Sequence, residues 1–268
     1  MSEDHTLNVT KNIQSIMNDD KMHELTSAWF QRTLLHNYSY NFSYMGRPII
    51  QYPQDMVLMQ ELILNLKPDL VIETGIAHGG SIVMSAATLA LVDYCEAVEN
   101  GTVLDPKNPK RKVLGIDIDI REHNKKEILS NPMISRIDMI EGSSISDKII
   151  KEVHEYAKPH KNILIFLDSN HTHQHVLEEL RAYAPLVSKD SYCVVYDTIV
   201  EDLPADQFPN RSWGRGDNPK TALFQYLDEI KNAPVYGVDG EILNFSIDKE
   251  IEQKIQITVA PDGFLKRI

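Results

Sequence analysis

Pro68-Asp69-Leu70-Val71-Ile72-Glu73-Thr74-Gly75-Ile76-Ala77-His78-Gly79-Gly80-Ser81 is the stretch on which the fold turns. Leu70 to Thr74 is a short, β-branched, apolar run, as expected of a strand buried on both faces. The glycines that follow let the chain turn sharply and let its backbone come close to a ligand. Gly80 to Tyr94 then reads as a helix, whose N-terminal amides point back at that ligand. A strand, a glycine turn and a helix in this order are the opening unit of a doubly wound α/β sheet.

The same alternation extends in both directions. Helix Asp55 to Leu66 precedes the first strand. Strands follow at Val113 to Asp117, Ile137 to Glu141, Ile163 to Leu167 and Tyr192 to Tyr196. Helices Glu122 to Leu129, Ser146 to Ala157 and His173 to Leu186 lie between them. Helix Lys220 to Lys231 comes next. Asn244 to Asp248 and Lys254 to Val259 then read as a hairpin-like pair, closed by Pro261-Asp262-Gly263, at an antiparallel edge. The expected fold is therefore a mostly parallel, seven-stranded doubly wound sheet over residues 54–268, with residues 1–53 as an N-terminal helical extension. Within the extension, Leu25, Trp29, Phe30 and Leu34 fall at helical spacing, and Gly46-Arg47-Pro48 marks a turn. This segment is either a packing cap or a lid. Cys95 to Arg111 and Ile199 to Asn218 read as loops, the second long enough to be functional.

Composition narrows the function classes. The chain has 268 residues, 42% hydrophobic and 25% charged, with a formal net charge of -12. That surface repels a phosphate backbone, so nucleic acid is not an expected partner. No apolar run approaches the roughly 20 residues of a membrane span, and the polar start MSEDHTLNVTKN has no signal core. Cys95 and Cys193 do not make a disulfide framework. A cytoplasmic protein is the default expectation.

In an open α/β sheet, ligands bind at the carboxyl ends of the strands near the switch point. Four endings carry chemistry. The first, Glu73 to Ser81, has Gly-x-x-x-Gly spacing rather than the dinucleotide fingerprint, which disfavours a nicotinamide oxidoreductase. Glu73 is placed for an ammonium group, although a glycine-rich packing turn is the alternative. The second ends in Asp117, which can accept ribose hydroxyls or cap the next helix. The third, Gly142-Ser143-Ser144, can border an adenine edge or simply start a helix. The fourth pairs Asp168 with Asp197 on neighbouring strands, where two carboxylates call for a cation or a shared proton. Oxygen ligands suit magnesium or calcium. His171 lies three residues after Asp168 and is matched as an imidazole to near-neutral proton transfer. His171 and His175, four apart, would also complete a two-His-one-carboxylate iron site with Asp168. His173 reads as a solvated helix start.

The Pro68 to Gly75 run with Gly79-Gly80-Ser81 resembles the cephalosporin hydroxylase family, whose members include rhamnosyl O-methyltransferases. Asp168-Ser169, His171, His175-Val176, Glu179-Leu180, Tyr192 to Thr198 and Pro261 to Arg267 fit the same pattern, in order, from about Gly46 to the C-terminus. The resemblance implies a class I, Rossmann-like methyltransferase that uses S-adenosylmethionine and Mg2+ to methylate a hydroxyl of a small molecule, a sugar or other diol. It implies Glu73, Gly75, Gly79, Ser81, Asp117, Ser143, Ser144 and Asp168 as cofactor-binding residues. Asp168, Asp197 and Thr198 would be metal ligands, as in catechol and macrolide-sugar O-methyltransferases, and His171 the general base. Tyr196 departs from the family, whose members often have an acid there; Thr198, Glu201, Asp202 or water would then complete the metal site. Homo-oligomers are expected by the same resemblance. An iron-dependent hydroxylase and a non-catalytic S-adenosylmethionine-binding protein are the rival expectations. Tyr38, Tyr40, Tyr44 and Trp213 are the candidate sugar-stacking rings, with residues 29–52 and 199–218 as pocket walls.

Overall fold

A computed structural model describes residues 3–268. Met1 and Ser2, the start of the polar N-terminal segment, lie outside the described residues. The chain opens with two helices, α1 (Glu3–Met17) and α2 (Asp20–Leu34), the second capped by the Asp19 side chain on the Met22 amide. A small antiparallel hairpin follows, β1 (Phe42–Tyr44) and β2 (Arg47–Ile49), then α3 (Pro53–Leu66).

The main sheet contains β3 (Leu70–Thr74), β4 (Lys112–Asp117), β5 (Ile137–Glu141), β6 (Ile163–Leu167), β7 (Tyr192–Val195), β8 (Phe245–Ile247) and β9 (Phe264–Arg267). Their order is β5-β4-β3-β6-β7-β9-β8, as expected of a doubly wound sheet with seven strands. The first five are parallel, and β9 pairs antiparallel with both β7 and β8. The order reverses between β3 and β6, so the ligand crevice belongs at their carboxyl ends. β3 and β6 are fully buried, and apolar clusters lie on both faces of the sheet. Helices α4 (Gly80–Asn100), α5 (Glu122–Leu129), α6 (Asp147–Ala157), α7 (His173–Tyr183) and α8 (Pro219–Asn232) cover those faces.

The structure corrects three expectations. The expected loop 95–111 is shorter, because α4 continues to Asn100 and stops at Gly101 in the left-handed region (φ +61°). An ionic cluster of Asp93 and Glu96 with Arg111 and Arg136 holds this extra length in place. α4 is also the one helix among the described residues long and apolar enough to cross a membrane by length and composition, and about half of it is buried against the sheet. The third correction concerns 254–259, which is no strand. Asp248 caps a short helix, α9 (Lys249–Ile255), and Gln256 at φ +61° turns the chain. The partner of β8 is therefore β9. Arg267 fixes that edge from inside: buried at 1% exposure, it donates to the Val187 carbonyl (2.6 Å) and to Asp239 (2.8 Å).

Residues 47–52 carry the buried contacts of the N-terminal segment, whereas Tyr40 and Met45 are exposed. Tyr52 stacks on Phe30 of α2 (4.9 Å), and both bury Leu203 from the segment after β7. Arg47 on β2 is buried and donates to the His78 carbonyl (2.9 Å) and to Asn124 of α5 (2.9 Å).

Candidate functional site

The turn after β3 is built from close approaches. Gly75 has φ +91°, and a Cβ there would lie 2.1 Å from the Asp168 carbonyl oxygen. Only glycine lets β3 and β6 pass this closely at the switch point. Gly79 is likewise left-handed (φ +83°), and a Cβ on Gly80 would meet the Pro48 carbonyl at 2.3 Å. Asp117 holds the turn from β4, accepting the Ile76 amide (2.8 Å), the Ala77 amide (3.1 Å) and the Asp119 amide (3.1 Å). Asn124 adds a bond to the Ala77 carbonyl (3.0 Å).

Glu73 sits at the end of β3 at 2% exposure. The Ser81 hydroxyl donates to one carboxylate oxygen, while the other is buried without a partner. Burial lifts the Glu73 carboxyl to about 8, against the lowering effect of Ser81. A buried acid with one orphaned oxygen at a ligand crevice marks a place for a cationic group.

Asp168 after β6, His171 three residues on and Asp197 after β7 converge, each offering an atom within 4.8 Å of the others. His171 Nε2 lies 3.3 Å from Asp197 Oδ2. Asp197 adopts φ +54°, a left-handed conformation that Asp tolerates and that turns its carboxylate out of the strand direction. Burial raises the Asp168 carboxyl well above the ordinary range, with Asp197 and then Glu73 adding repulsion. Gln51 donates to Asp168 Oδ2 (3.1 Å) from residues ahead of α3. Sequence reasoning missed Gln51, since nothing in its local pattern links it to a residue so distant in the chain. It also missed Asp55, at 1% exposure in the first turn of α3. Burial, with a push from Asp197, raises the Asp55 carboxyl to about 7.

Several expected partners lie elsewhere. Thr198 is fully buried, and its hydroxyl donates to the Pro261 carbonyl (2.6 Å), so it does not face the acids. Glu201 accepts from the Gly216 amide (2.7 Å) and from Asn218, and Asp202 pairs with Lys220 (2.5 Å). None of the three completes the metal site. Tyr196 is buried against Phe166. His175 also leaves the cluster: α7 begins only at His173, so His171 and His175 do not share a helical face. His175 Nε2 instead lies 3.0 Å from the Ser144 hydroxyl and 3.2 Å from the Ser169 hydroxyl. A two-His-one-carboxylate site on Asp168 is thereby ruled out geometrically. His173 is not simply solvated, since its ring bonds Thr221 and Gln225 of α8 (2.8 Å each). Ser144 is buried with its hydroxyl on Glu179 (2.6 Å), whereas Ser143 is half-exposed.

A cavity of about 520 Å³ joins these parts. It is lined by Gly75 to His78, Gly80 and Ser81 with Asp168, His171 and Asp197. Tyr38, Tyr40 and Tyr52 also line it, as do Phe208, Arg211 and Trp213. The His171 ring stands edge-on to Trp213 (5.2 Å), which Phe208 supports (4.8 Å). Tyr44 does not line this cavity; Tyr38, Tyr40 and Trp213 do.

A sequence model of the family described as Rhamnosyl O-methyltransferase/CmcI matches residues 36–268. The Rhamnosyl O-methyltransferase of Mycobacterium tuberculosis is 29% identical over 231 residues, covering 84% of this chain and 78% of that protein. Its Mycobacterium leprae counterpart is 25% identical over 251 residues, covering 92% and 91%. A solved CmcI structure with Mg and SAM superposes with a TM-score of 0.54 at 14% identity, covering 85% of this chain and 77% of that one. An apo CmcI structure gives 0.51 at 14% identity, with the same coverage. At such identity the structural likeness concerns the fold alone.

Proposed function

The chain belongs to the Rhamnosyl O-methyltransferase/CmcI family, and from that premise we propose that it is an S-adenosylmethionine-dependent, divalent-metal-assisted O-methyltransferase acting on a sugar hydroxyl. The observation that carries the proposal is the convergence of Asp168, His171 and Asp197 beside the Glu73–Ser81 turn, in the lining of one cavity.

The residues fit both groups. The orphaned, buried Glu73 oxygen accepts the ammonium of a methionine moiety, and Gly75 and Gly79 leave the backbone open to close approach. A carboxylate has about four lone-pair sites. Asp117 already receives three amides, so it has room for a single ribose hydroxyl unless the turn shifts. Ser143 remains the adenine-side residue. The two carboxylates Asp168 and Asp197 supply the oxygen ligands that a hard cation such as Mg2+ prefers, with Gln51 orienting Asp168.

When bound, the cofactor supplies an electrophilic methyl group, and the cation supplies charge that makes a neighbouring hydroxyl more acidic. His171 Nε2, facing Asp197, takes the proton of the acceptor hydroxyl. Trp213, edge-on to His171, offers a flat face against which a sugar ring would pack, and Tyr38 and Tyr40 line the same cavity. These walls would orient the acceptor hydroxyl, so the chain would contribute alignment rather than covalent chemistry. The two unpaired thiols, exposed Cys95 and buried Cys193, accord with a reducing, cytoplasmic setting.

Calorimetric titration of S-adenosylhomocysteine into the protein, with and without Mg2+ and with NAD as control, tests the proposal. Binding of S-adenosylhomocysteine and not NAD is expected. Failure to bind in either condition would sink it.

A further inference from the structure

Glu179 lies on α7 at 0% exposure, and among the described residues no Lys or Arg reaches it. One of its oxygens accepts two hydroxyl bonds, from Ser144 (2.6 Å) and from Ser169 (2.6 Å). His175, one turn earlier on the helix, places Nε2 3.4 Å from that same oxygen and within 3.2 Å of both hydroxyls. Tyr183, one turn later, donates to the Ser144 backbone carbonyl. A buried carboxylate is costly unless its hydrogen bonds are met, and here the two serine hydroxyls meet those of one oxygen while the other is buried without a partner.

The two serines come from separate parts of the sheet. Ser144 follows β5, in the same turn as Ser143, the residue proposed for the adenine side. Ser169 follows β6 and is bonded through the chain to Asp168. β4 and β3 lie between those strands, and among the described residues no backbone hydrogen bond joins the two loops. Both loops are therefore referred to one oxygen atom, fixed on the rigid frame of α7.

We propose that Glu179 is a positioning residue that registers the cofactor-side loop after β5 with the acid-bearing loop after β6, each through its own serine hydroxyl. His175 Nε2 then serves as a further donor beside the two hydroxyls and the same Glu179 oxygen. This inference rests on the methyltransferase reading for what the two loops hold. It does not rest on it for the coupling itself, which is a property of the unliganded chain.

The test uses the full chain and four variants: Ser144→Ala, Ser169→Ala, Glu179→Gln and Glu179→Ala. Hydrogen exchange is followed by mass spectrometry in peptides covering 142–146 and 168–172. Calorimetry with S-adenosylhomocysteine and the Mn2+ electron paramagnetic resonance signal give the two affinities. Ser144→Ala should loosen only the first peptide and weaken S-adenosylhomocysteine about threefold, leaving Mn2+ binding as it was. Ser169→Ala should do the converse. Glu179→Ala should loosen both peptides and weaken both probes about tenfold, while Glu179→Gln, whose amide oxygen still accepts, should recover most of that loss. Unchanged exchange in either peptide of Glu179→Ala would overturn the proposal. So would a single serine variant that loosens both loops equally, since that is what general destabilisation does. Wild-type protein that binds no S-adenosylhomocysteine would fail the functional reading instead, and the two failures are told apart by which measurement is flat.

Discussion

The two sides of the cavity are held by different physics. The β3–α4 turn is fixed through its backbone: left-handed glycines, a Gly75 with no room for a Cβ beside the Asp168 carbonyl, and the Ile76 and Ala77 amides on Asp117. The wall after β7 is fixed by side chains: Trp213 between His171 and Phe208, with Arg211 over its ring (5.6 Å). A backbone-built site accepts little substitution and suits a ligand common to a whole family. A wall of stacked rings can be rebuilt ring by ring, so it is the side that we propose sets acceptor choice.

If that contrast holds, Gly75→Ala should have the largest effect. The added methyl has no space beside Asp168, and the expected outcome is loss of folded protein or of all measurable S-adenosylhomocysteine binding, read by calorimetry and circular dichroism. A Gly75→Ala variant that folds and binds normally would break the contrast outright. His171→Ala comes next, with turnover falling by about 10²–10⁴ while S-adenosylhomocysteine affinity stays within about twofold. A turnover loss under about threefold would remove His171 as the base. Trp213→Ala should raise KM for the acceptor about tenfold and leave cofactor affinity alone. Equal loss of both would mean that the two sides are not separable.

The smallest expected effect is a pH dependence. Glu73 titrates at about 8 when buried without ligand, so near neutrality it is mostly protonated. Raising the pH ionises it, and the ionised form attracts an ammonium group. Affinity for S-adenosylhomocysteine should therefore rise about fivefold between pH 7 and 8, and Glu73→Gln should abolish that slope. The linked sign for stability is opposite. The folded state holds a proton that the unfolded state releases near 4.5, so Glu73 makes the ligand-free protein less stable as pH rises from there through about 8. Glu73→Gln should flatten this decline in a thermal melt.

Local pattern made the central sheet legible. Strands β3 and β6 stand where their apolar runs place them, because strands buried on both faces carry a continuous signal. It failed at 254–259, where Lys254 to Val259 alternates like a strand while Asp248 and Gln256 make a helix and a turn instead. It failed again at Thr198. A residue beside a metal-site acid points into that site only if the backbone twist allows it, and the left-handed Asp197 sends the next side chain to Pro261.

By itself, the sequence determined the alternation of strands and helices, the glycine turn, and the four strand ends at which ligands meet an open sheet. Those follow from periodicity and from residue types whose backbone freedom or charge is intrinsic. Only the tertiary structure decided which side chains share that crevice. Gln51 reaches Asp168 across 117 positions of chain, and His175 turns away from Asp168 to join Ser144, Ser169 and Glu179. Spacing along a chain constrains direction only within one helix or strand. Beyond that, the packing of separate elements sets where each polar atom finds its partner.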